Sequence, residues 1–448
     1  MDINTRIKSQ INKFQDRIEK ILSFCYSING GNMSKISKEL LEFKKIIDEE
    51  DLEFYSDEQI EKLNLDFLID YIYENEFILD DSRHSGYTLH SLEEILLIVI
   101  FALLANCNTY KEIELFINVH YEWLLEKLKL YNGIPSISTI RRVISIINPK
   151  ELELLCNEIF FKYIKEEKNI YDNEELVITD ILSLDGKTAN GSEVNTIKGK
   201  NKKINAMSAY SIKYNKTLAT EFIDEKSNEI PTGPKLLERL NIKDSIITFD
   251  ALNTQEKTIK YIKSKEAHYI APIKDNHKDF REDLKAYFKD INFLNECNKY
   301  TTTEKAHNQL EIREYYFTND INWIIDKSKW VGIKSLGYMK KYYDDKLVEE
   351  RYFISDIDAK YVELLSRVIR SEWQIENNLH WYLDTVFEED KNKSYIINSQ
   401  KNLNIIRKFC LGIIKKIKDK YNQSINSIRV ILSMSFEKEI ERIFNSLK

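Results

Sequence analysis

Paired cysteines are absent from this sequence of 448 residues. Its five cysteines are scattered, their number is odd, and no two of them stand in a CxxC spacing. This usage argues against a disulfide framework and against a zinc site built from cysteine pairs. We therefore expect a protein of the reducing cytoplasm.

Long hydrophobic runs are also missing. The longest, ILLIVIFALLA at residues 95–105, has eleven residues, whereas about 20 are needed to cross a bilayer. No signal-peptide pattern opens the sequence. We expect a cytoplasmic protein with no membrane partner, in which residues 95–105 belong to the core.

An excess of positive charge is absent as well, since the formal net charge is −7. Net charge averages over all faces, however, and DNA binding requires only a local basic surface. Lysines do cluster in TIKGKNKKIN at residues 196–205. Such a run is either a solvated loop or a DNA contact.

Proline is confined to one part of the chain, because all five prolines lie between residues 135 and 272. A proline inside a helix removes a hydrogen bond and introduces a clash, so the proline-free flanks favour helices. From about residue 176, β-branched and aromatic residues alternate, which predicts strands. The strand–helix–strand order that follows predicts an α/β fold with a mixed sheet and crossover helices.

Two aspartates stand where predicted strands end. Asp185 closes the strand ILSLD, and Asp250 closes SIITFD. A single aspartate at such a place is usually a turn or capping residue. Sites of open α/β sheets, however, lie beyond the carboxyl ends of strands. Two aspartates on neighbouring strands therefore favour a site.

A third carboxylate lies in SEWQIENNLHWYLDTVFEED, residues 371–390. In this predicted helix Glu376, His380 and Asp384 form a stripe. We expect Trp373 and Trp381 to flank the stripe and to be largely buried. The adjoining face has the helical spacing of a core face and consists of Ile375, Leu379, Leu383 and Val386.

Glu376, hemmed in by tryptophans, would be poorly solvated and would require a cation. Together with Asp185 and Asp250 it would form an all-oxygen site that suits Mg²⁺. Two such ions about 4 Å apart can activate an attacking hydroxyl and stabilise the leaving oxygen of a phosphodiester. Zinc held by Glu376 and His380 is the alternative, but no second histidine or cysteine stands nearby.

Several motifs occur in a fixed order along the chain. They are LDGKTANGS (184–192), EKSNEIP (225–231), IITFDALNTQ (246–255), HYIAPIKDNH (268–277), HNQLEIRE (307–314) and WQIENNLHWYLDTVFEED (373–390). With upstream segments such as GIPSISTIRRV, this set resembles the DDE transposases of bacterial insertion sequences. The resemblance is to the ISAs-type group, which includes the H-repeat-associated proteins, and it covers about residues 76–420.

The resemblance implies a ribonuclease-H-like mixed sheet core with a β-rich insertion and an all-α N-terminal region. The implied parts are a helical transposase-associated DNA-binding domain (76–170), the catalytic core (171–290 and 359–425) and the β-rich insertion (291–358). Beyond the resemblance, the pattern of the residues themselves predicts a helical N-terminal extension (1–75) and a C-terminal helix (426–448).

The resemblance also implies an activity. Matched residue by residue, the catalytic and metal-binding triad is Asp185, Asp250 and Glu376, which would hold two Mg²⁺ ions, with Mn²⁺ able to substitute. The implied reaction is cleavage and strand transfer of double-stranded DNA at the terminal inverted repeats of the element, by a homodimer on paired ends. The alternative is a domesticated or decayed copy that binds DNA without cutting it.

The sequence departs from the family at several positions. The family has histidine where Asn205 and Glu372 stand, glutamine where Thr220 and His277 stand, and Gly-Arg where residues 308–309 read Asn-Gln. The tyrosine-arginine-glutamate-lysine signature of the wider superfamily is absent. These departures concern contacts with DNA ends rather than metal binding.

Basic side chains supply the candidate DNA contacts, since ion pairing with phosphates dominates DNA affinity. Each has a solvated side chain as its alternative. Arg141 and Arg142 lie on a predicted helix that Ser136, Ser138 or Thr139 would cap. In the predicted strand LEIREYYF, Glu311 and Arg313 share one face, which would meet either DNA or water. The candidates are Arg141, Arg142, Lys187, Lys200, Lys202, Lys203, Lys274, His307 and Arg313.

Overall fold

The computed structural model describes residues 64–447 except for 76–77, 84–87, 165–166, 196–200, 224–231, 252–253, 307–308, 326 and 392–395. Lys200, His307 and the EKSNEIP motif lie outside the described residues, as does most of the predicted extension 1–75. The side chain of Lys202 is likewise not described.

An all-α region precedes the sheet, as predicted. A capping box, Ser91 with Glu94, begins its second helix, and every residue of that helix is buried, as the run at 95–105 indicated. A second capping box, Thr109 with Glu112, begins the third helix. The helices are α1 (Leu65–Glu74), α2 (Leu92–Leu104), α3 (Tyr110–Val119), α4 (Tyr121–Lys127), α5 (Ile137–Ile146) and α6 (Pro149–Lys162).

The strands of the described residues form a small antiparallel pair, β1–β2, and one large sheet in the order β5-β4-β3-β6-β7-β11-β10-β9-β8. Four helices, α7 to α10, lie between them in sequence. The strands are β1 (Tyr171–Asp172), β2 (Val177–Ile178), β3 (Ile181–Asn195), β4 (Asn201–Ser211), β5 (Lys216–Ile223), β6 (Ile246–Phe249), β7 (His268–Ile273), β8 (Asn298–Ala306), β9 (Gln309–Thr318), β10 (Ser335–Tyr343) and β11 (Lys346–Ser355). The helices are α7 (Thr232–Leu237), α8 (Glu256–Ser264), α9 (Lys278–Lys289) and α10 (Ile291–Glu296).

The first half of the sheet has the predicted ribonuclease-H-like arrangement. β3, β4 and β5 form an antiparallel meander with β3 innermost. β6 then pairs parallel to β3, and β7 pairs parallel to β6 after the crossover helix α8. The prediction of a mixed α/β sheet with an all-α N-terminal region is confirmed.

The strands of the predicted insertion widen this same sheet. β11 pairs antiparallel with β7, from Tyr352 opposite Ile273 to Ser355 opposite Ile270, and β10, β9 and β8 follow outward. Helix α11 (Val362–Ile375) shares a hydrophobic core with residues from both halves of the sheet. This packing fixes the helix that leads to Glu376 against the strands that carry the aspartates.

After α11 come a π-helical turn (Glu376–His380), α12 (Trp381–Thr385), α13 (Ile397–Tyr421), α14 (Ile425–Met434) and α15 (Phe436–Ser446). The segment predicted as one C-terminal helix thus forms two helices, because Ser435 leaves the helical conformation with φ −148°. Phe436, which follows, packs against Phe101, Phe116 and Trp123 of the N-terminal helices. Among the described helices, none combines the length and apolarity of a membrane span.

Candidate active site

Asp185 lies on β3 at the point where β3 loses its partner β6. The parallel pairing runs from Ile181 to Leu184, whereas β4 continues to pair with β3 beyond Asp185. The prediction that the strand ends at Asp185 is therefore wrong, because β4 supplies hydrogen-bond partners as far as Asn195. On the other side β6 ends at Phe249, directly before Asp250, and this end opens a crevice next to Asp185.

Glu376 lines this crevice from a turn between two helices. Residues Glu376–His380 form a π-helical turn between α11 and α12. Such turns insert an extra residue into a helix and are frequent at functional sites. The face predicted to be core is buried, which confirms the predicted helical phase; its residues are Ile375, Leu379, Leu383 and Val386.

The three predicted carboxylates line one cavity of about 360 Å³. Lys274 and Arg351 also line it, and Trp373 forms part of its wall. The acidic residues around the cavity are Asp185, Asp250, Glu349, Glu372 and Glu376. Chain folding has thus brought together acids that lie far apart in sequence, as predicted.

His380 connects two of these acids. Its Nδ1 lies 2.9 Å from Oε2 of Glu376 and 3.5 Å from Oδ2 of Asp185. The imidazole is 5 % exposed, whereas the Glu376 side chain is 65 % exposed. The spacing of four residues predicts the contact with Glu376, but no local signal predicts the contact with Asp185, which depends on how the π-helical turn packs on β3.

Negative charge accumulates in the cavity. Burial raises the pKa of Asp185 to about 7, and the charges of Glu376, Asp250 and Glu372 act in the same direction, although the Gly186 N–H opposes them. The pKa of Glu372 is also raised by burial, against the effect of Arg351. A carboxyl whose charged form is disfavoured by neighbouring carboxylates gains most from a cation. This donor set fits hard divalent ions, which take carboxylate oxygens.

Burial lowers the pKa of His380, although the hydrogen bond with Glu376 raises it in part. The neutral imidazole is therefore favoured at this position. One of its partner acids, Asp185, also accepts a hydrogen bond from Gly186 N–H, at 2.8 Å. Lys274 places its Nζ 3.1 Å from Oδ1 of Asp250.

Glu372 stands one helical turn before Glu376 and is paired with Arg351 of β11. The hydroxyl of Thr248 on β6 also lies 3.4 Å from its carboxylate. The side chains of Glu372 and Arg351 are 13 % and 12 % exposed. The chain therefore has a largely buried ion pair that joins α11 to the sheet.

The two tryptophans near Glu376 are not buried as predicted, and the Glu376 side chain, which the sequence predicts to be poorly solvated between them, is 65 % exposed. Trp373 is 45 % exposed and Trp381 is 52 % exposed. Each lies two residues from a core residue, Ile375 or Leu383, and a helix turns about 200° over two residues. The Lys341 ammonium lies 5.2 Å from the centre of the Trp373 ring, and Trp381 packs edge-on against Tyr382.

The remaining candidate DNA contacts differ in accessibility. Ser136 caps α5, as predicted, and Arg141 and Arg142 are exposed on that helix. Lys203 is exposed on β4, and the Lys274 side chain is 53 % exposed beside the cavity. Lys187 is paired with Asp384, with its Nζ 2.6 Å from each carboxylate oxygen.

Arg313 and Glu311 are buried, at 5 % and 4 % exposure. They form an ion pair with each other, and Nζ of Lys341 lies 3.2 Å from Glu311. The expectation that this face of β9 meets water or DNA is therefore wrong, because Lys341 of the neighbouring strand β10 pairs with Glu311 there. A DNA contact by Arg313 stays a prediction that its burial does not favour.

Two consecutive segments of the chain match known protein families. Residues 178–413 match the family described as "Transposase DDE domain", and residues 78–158 match the one described as "DDE_Tnp_1-associated". The chain is 32 % identical over 368 residues to "Putative transposase YncI" of Escherichia coli O157:H7, covering 80 % of this chain and 89 % of the relative. It is 31 % identical over 350 residues to "H repeat-associated putative transposase YhhI" of Escherichia coli K12, covering 75 % and 88 %.

Among solved structures, the chain resembles a piggyBac transposase described as a "synaptic complex with hairpin DNA". The TM-score is 0.38 and the sequence identity is 11 %, over 87 % of this chain and 79 % of the other.

Proposed function

This chain belongs to the H-repeat-associated DDE transposase family, and on that premise we propose that it cleaves and joins DNA at the terminal inverted repeats of its insertion sequence. The observation that carries the proposal is the convergence of Asp185, Asp250 and Glu376 on one cavity. The reaction would be phosphodiester hydrolysis followed by attack of the freed 3′-hydroxyl on target DNA.

In this proposal Asp185, Asp250 and Glu376 hold two Mg²⁺ ions, for which Mn²⁺ substitutes. Ions bound by these residues would supply Lewis-acid activation of an attacking oxygen and would neutralise charge on a leaving oxygen. Burial raises the pKa of Asp185, and the charges of Glu376 and Asp250 add to this effect, so a cation next to its carboxylate would stabilise the charged form.

Other residues of the cavity would position the DNA. Lys274 is half exposed and lies next to Asp250, so its ammonium is available to a phosphate at the cleavage point. The buried pair of Glu372 and Arg351 fixes the last turn of α11, and thereby the start of the turn that carries Glu376. Exposed Arg141, Arg142 and Lys203 would contact DNA phosphates further away, and a homodimer on paired ends would supply two such sets.

The test is a cleavage assay with DNA that carries the terminal inverted repeats of the element. We expect Mg²⁺-dependent nicking by the wild type and a loss of at least about 100-fold in Asp185→Asn and Asp250→Asn, because a lost ligand removes several kcal/mol of transition-state stabilisation. Asp66→Asn is the matched control, since the Asp66 side chain is 64 % exposed on α1. Equal nicking by the wild type and both active-site variants would refute the proposal.

Binding to the repeats without a metal-dependent product would identify the alternative, a domesticated or decayed copy that binds DNA without cutting it. A mobility-shift measurement on the same DNA separates this outcome from a protein that has lost both properties.

A further inference from the structure

We propose that His380 is a nitrogen ligand of the divalent ion held by Asp185 and Glu376, and that this position therefore prefers Mn²⁺ to Mg²⁺. The inference deepens the proposed function and rests on it, since it assumes that these two carboxylates hold an ion. It changes the all-oxygen site expected from the sequence into a mixed oxygen and nitrogen site.

The spacing of the three side chains fits a shared ion. Nδ1 of His380 lies 2.9 Å from Oε2 of Glu376 and 3.5 Å from Oδ2 of Asp185. One ligand atom from each residue lies within 4.8 Å of the other two. Neighbouring ligand atoms around an octahedral ion with bonds of about 2.1 Å are roughly 3 Å apart. Nδ1 of His380 therefore lies from each carboxylate oxygen at about the separation of neighbouring ligands in one coordination sphere.

The same distances would also fit a hydrogen bond from a protonated Nδ1 to Glu376. The surroundings of the other ring nitrogen, Nε2, distinguish metal ligation from this hydrogen bond. His380 also lines a separate small cavity of about 10 Å³, together with Glu389 and Asn404. Within the described part of the chain, three buried atoms of these residues have no hydrogen-bond partner: Nε2 of His380, Oε2 of Glu389 and Oδ1 of Asn404.

Two of these three atoms, the oxygens of Glu389 and Asn404, are acceptors, so the group that satisfies them is a donor. The Lys408 ammonium in the same wall donates to Ser208 and Thr220, at 2.9 Å each. The Nε2–H tautomer of His380 supplies a donor. The cavity is about large enough for one water, which would accept this hydrogen bond and donate to the oxygens of Glu389 and Asn404. Metal-bound histidines commonly donate their second ring N–H to a carboxylate or a water in this way.

With the proton on Nε2, the lone pair of Nδ1 faces the carboxylates of Asp185 and Glu376. Three electron-rich atoms at these distances repel one another unless a cation lies among them. Imidazole increases affinity for first-row transition metals, whereas carboxylate oxygens alone suit Mg²⁺. The arrangement therefore favours a transition metal, here Mn²⁺, over Mg²⁺ at this position.

The experiment uses the full chain labelled with ¹⁵N-histidine, with Mn²⁺ as the probe and no DNA. Electron paramagnetic resonance of free Mn²⁺ measures the affinity, and pulsed measurements detect a ¹⁵N nucleus bound directly to the ion. We expect direct ¹⁵N coupling in the wild type. In His380→Gln we expect the coupling to disappear and Mn²⁺ affinity to fall by about tenfold or more.

His120→Gln is the matched control, because His120 also faces a carboxylate, with Nδ1 3.0 Å from Oε1 of Glu437, on the helical region rather than at the cavity. This variant should keep both the coupling and the affinity. Coupling that persists in His380→Gln would come from another histidine and would overturn the inference.

Wild-type Mn²⁺ binding without any ¹⁵N coupling would also overturn it, while leaving the carboxylate site and the proposed function in place. If Asp185→Asn and Glu376→Gln leave Mn²⁺ binding unchanged, both the inference and the proposed metal site fail. If His380→Gln does not fold, absence of ¹⁵N coupling in the wild type still overturns the inference, and loss of the coupling in His380→Asn supports it.

Discussion

The ammonium of Lys187 on β3 lies 2.6 Å from both carboxylate oxygens of Asp384 on α12. This ion pair joins the strand that carries Asp185 to the helix that follows Glu376. The Lys187 side chain is 15 % exposed and that of Asp384 is 41 % exposed. Such a contact restrains the distance between the two halves of the candidate site.

The first prediction follows from this pairing. Lys187→Gln and Asp384→Asn should lower the free energy of unfolding equally, by about 1 kcal/mol or less, because the pair is partly exposed to solvent. Urea denaturation measures this effect. A purely DNA-binding lysine would behave differently, since only Lys187→Gln would then weaken DNA affinity and reduce its dependence on salt.

A second prediction concerns the largely buried pair of Arg351 and Glu372. Arg351→Leu should destabilise the protein by about 3 kcal/mol or more, because it leaves the Glu372 carboxylate without its partner in a poorly solvated place. The double variant Arg351→Leu/Glu372→Leu is the control and should recover much of that loss in urea denaturation. A double variant no more stable than the single one would show that the cost comes from packing rather than from the unpaired charge.

The buried Lys216 predicts a dependence of stability on pH. Burial lowers its pKa from 10.5 to about 8, so the folded chain releases its proton before the unfolded chain does. Between about pH 8 and pH 10.5 the unfolded state binds more protons, and this residue therefore makes stability rise with pH through that window.

Lys216→Met removes this titration. The methionine should retain the packing against the Phe160 ring, which the lysine ammonium approaches to 4.6 Å. We expect the variant to be more stable than the wild type at pH 7, by at most about 3 kcal/mol. The advantage should shrink towards pH 10.5, as followed by urea denaturation across pH. An advantage that does not change with pH would contradict this account.

The exposed tryptophans provide a matched pair. Trp373 lines the cavity and Trp381 does not, although both are about half exposed. An unpaired base at the cavity could stack on Trp373, and base–aromatic stacking contributes about 1–3 kcal/mol. Trp373→Ala should therefore weaken binding of a single-stranded DNA end by about tenfold, measured by fluorescence anisotropy, whereas Trp381→Ala should not. Equal affinities of the two variants would rule out a role for Trp373 in holding DNA.

Much of the site could be predicted because each carboxylate follows a local pattern. Asp250 comes directly after a short buried strand, and Glu376 lies on a stripe beside a core face, so the local pattern predicts both positions, whereas their assignment to one triad depends on the resemblance to the family. The sequence also predicts a site at Asp185, but it places the end of the strand there. Strand β3 continues to Asn195 because β4 pairs with it over that length.

Other features depend on packing between distant segments. The contact of His380 with Asp185 requires the π-helical turn to lie on β3, and no sequence pattern specifies that turn. Trp373 and Trp381 flank the carboxylate stripe and are expected to be buried, but the helical phase set by Ile375 and Leu383 turns both towards solvent. Burial of Arg313 likewise depends on Glu311 and on Lys341, which comes from another strand.

The number of divalent ions bound per chain tests most directly whether Asp185, Asp250 and Glu376 form a metal site. Isothermal titration of Mn²⁺ into the full chain bound to an inverted-repeat end should give two ions per chain. Asp185→Asn should reduce that number or weaken both sites, and Asp250→Asn and Glu376→Gln should each weaken at least one. Binding that is unchanged in all three variants would contradict the claim that Asp185, Asp250 and Glu376 form the metal site.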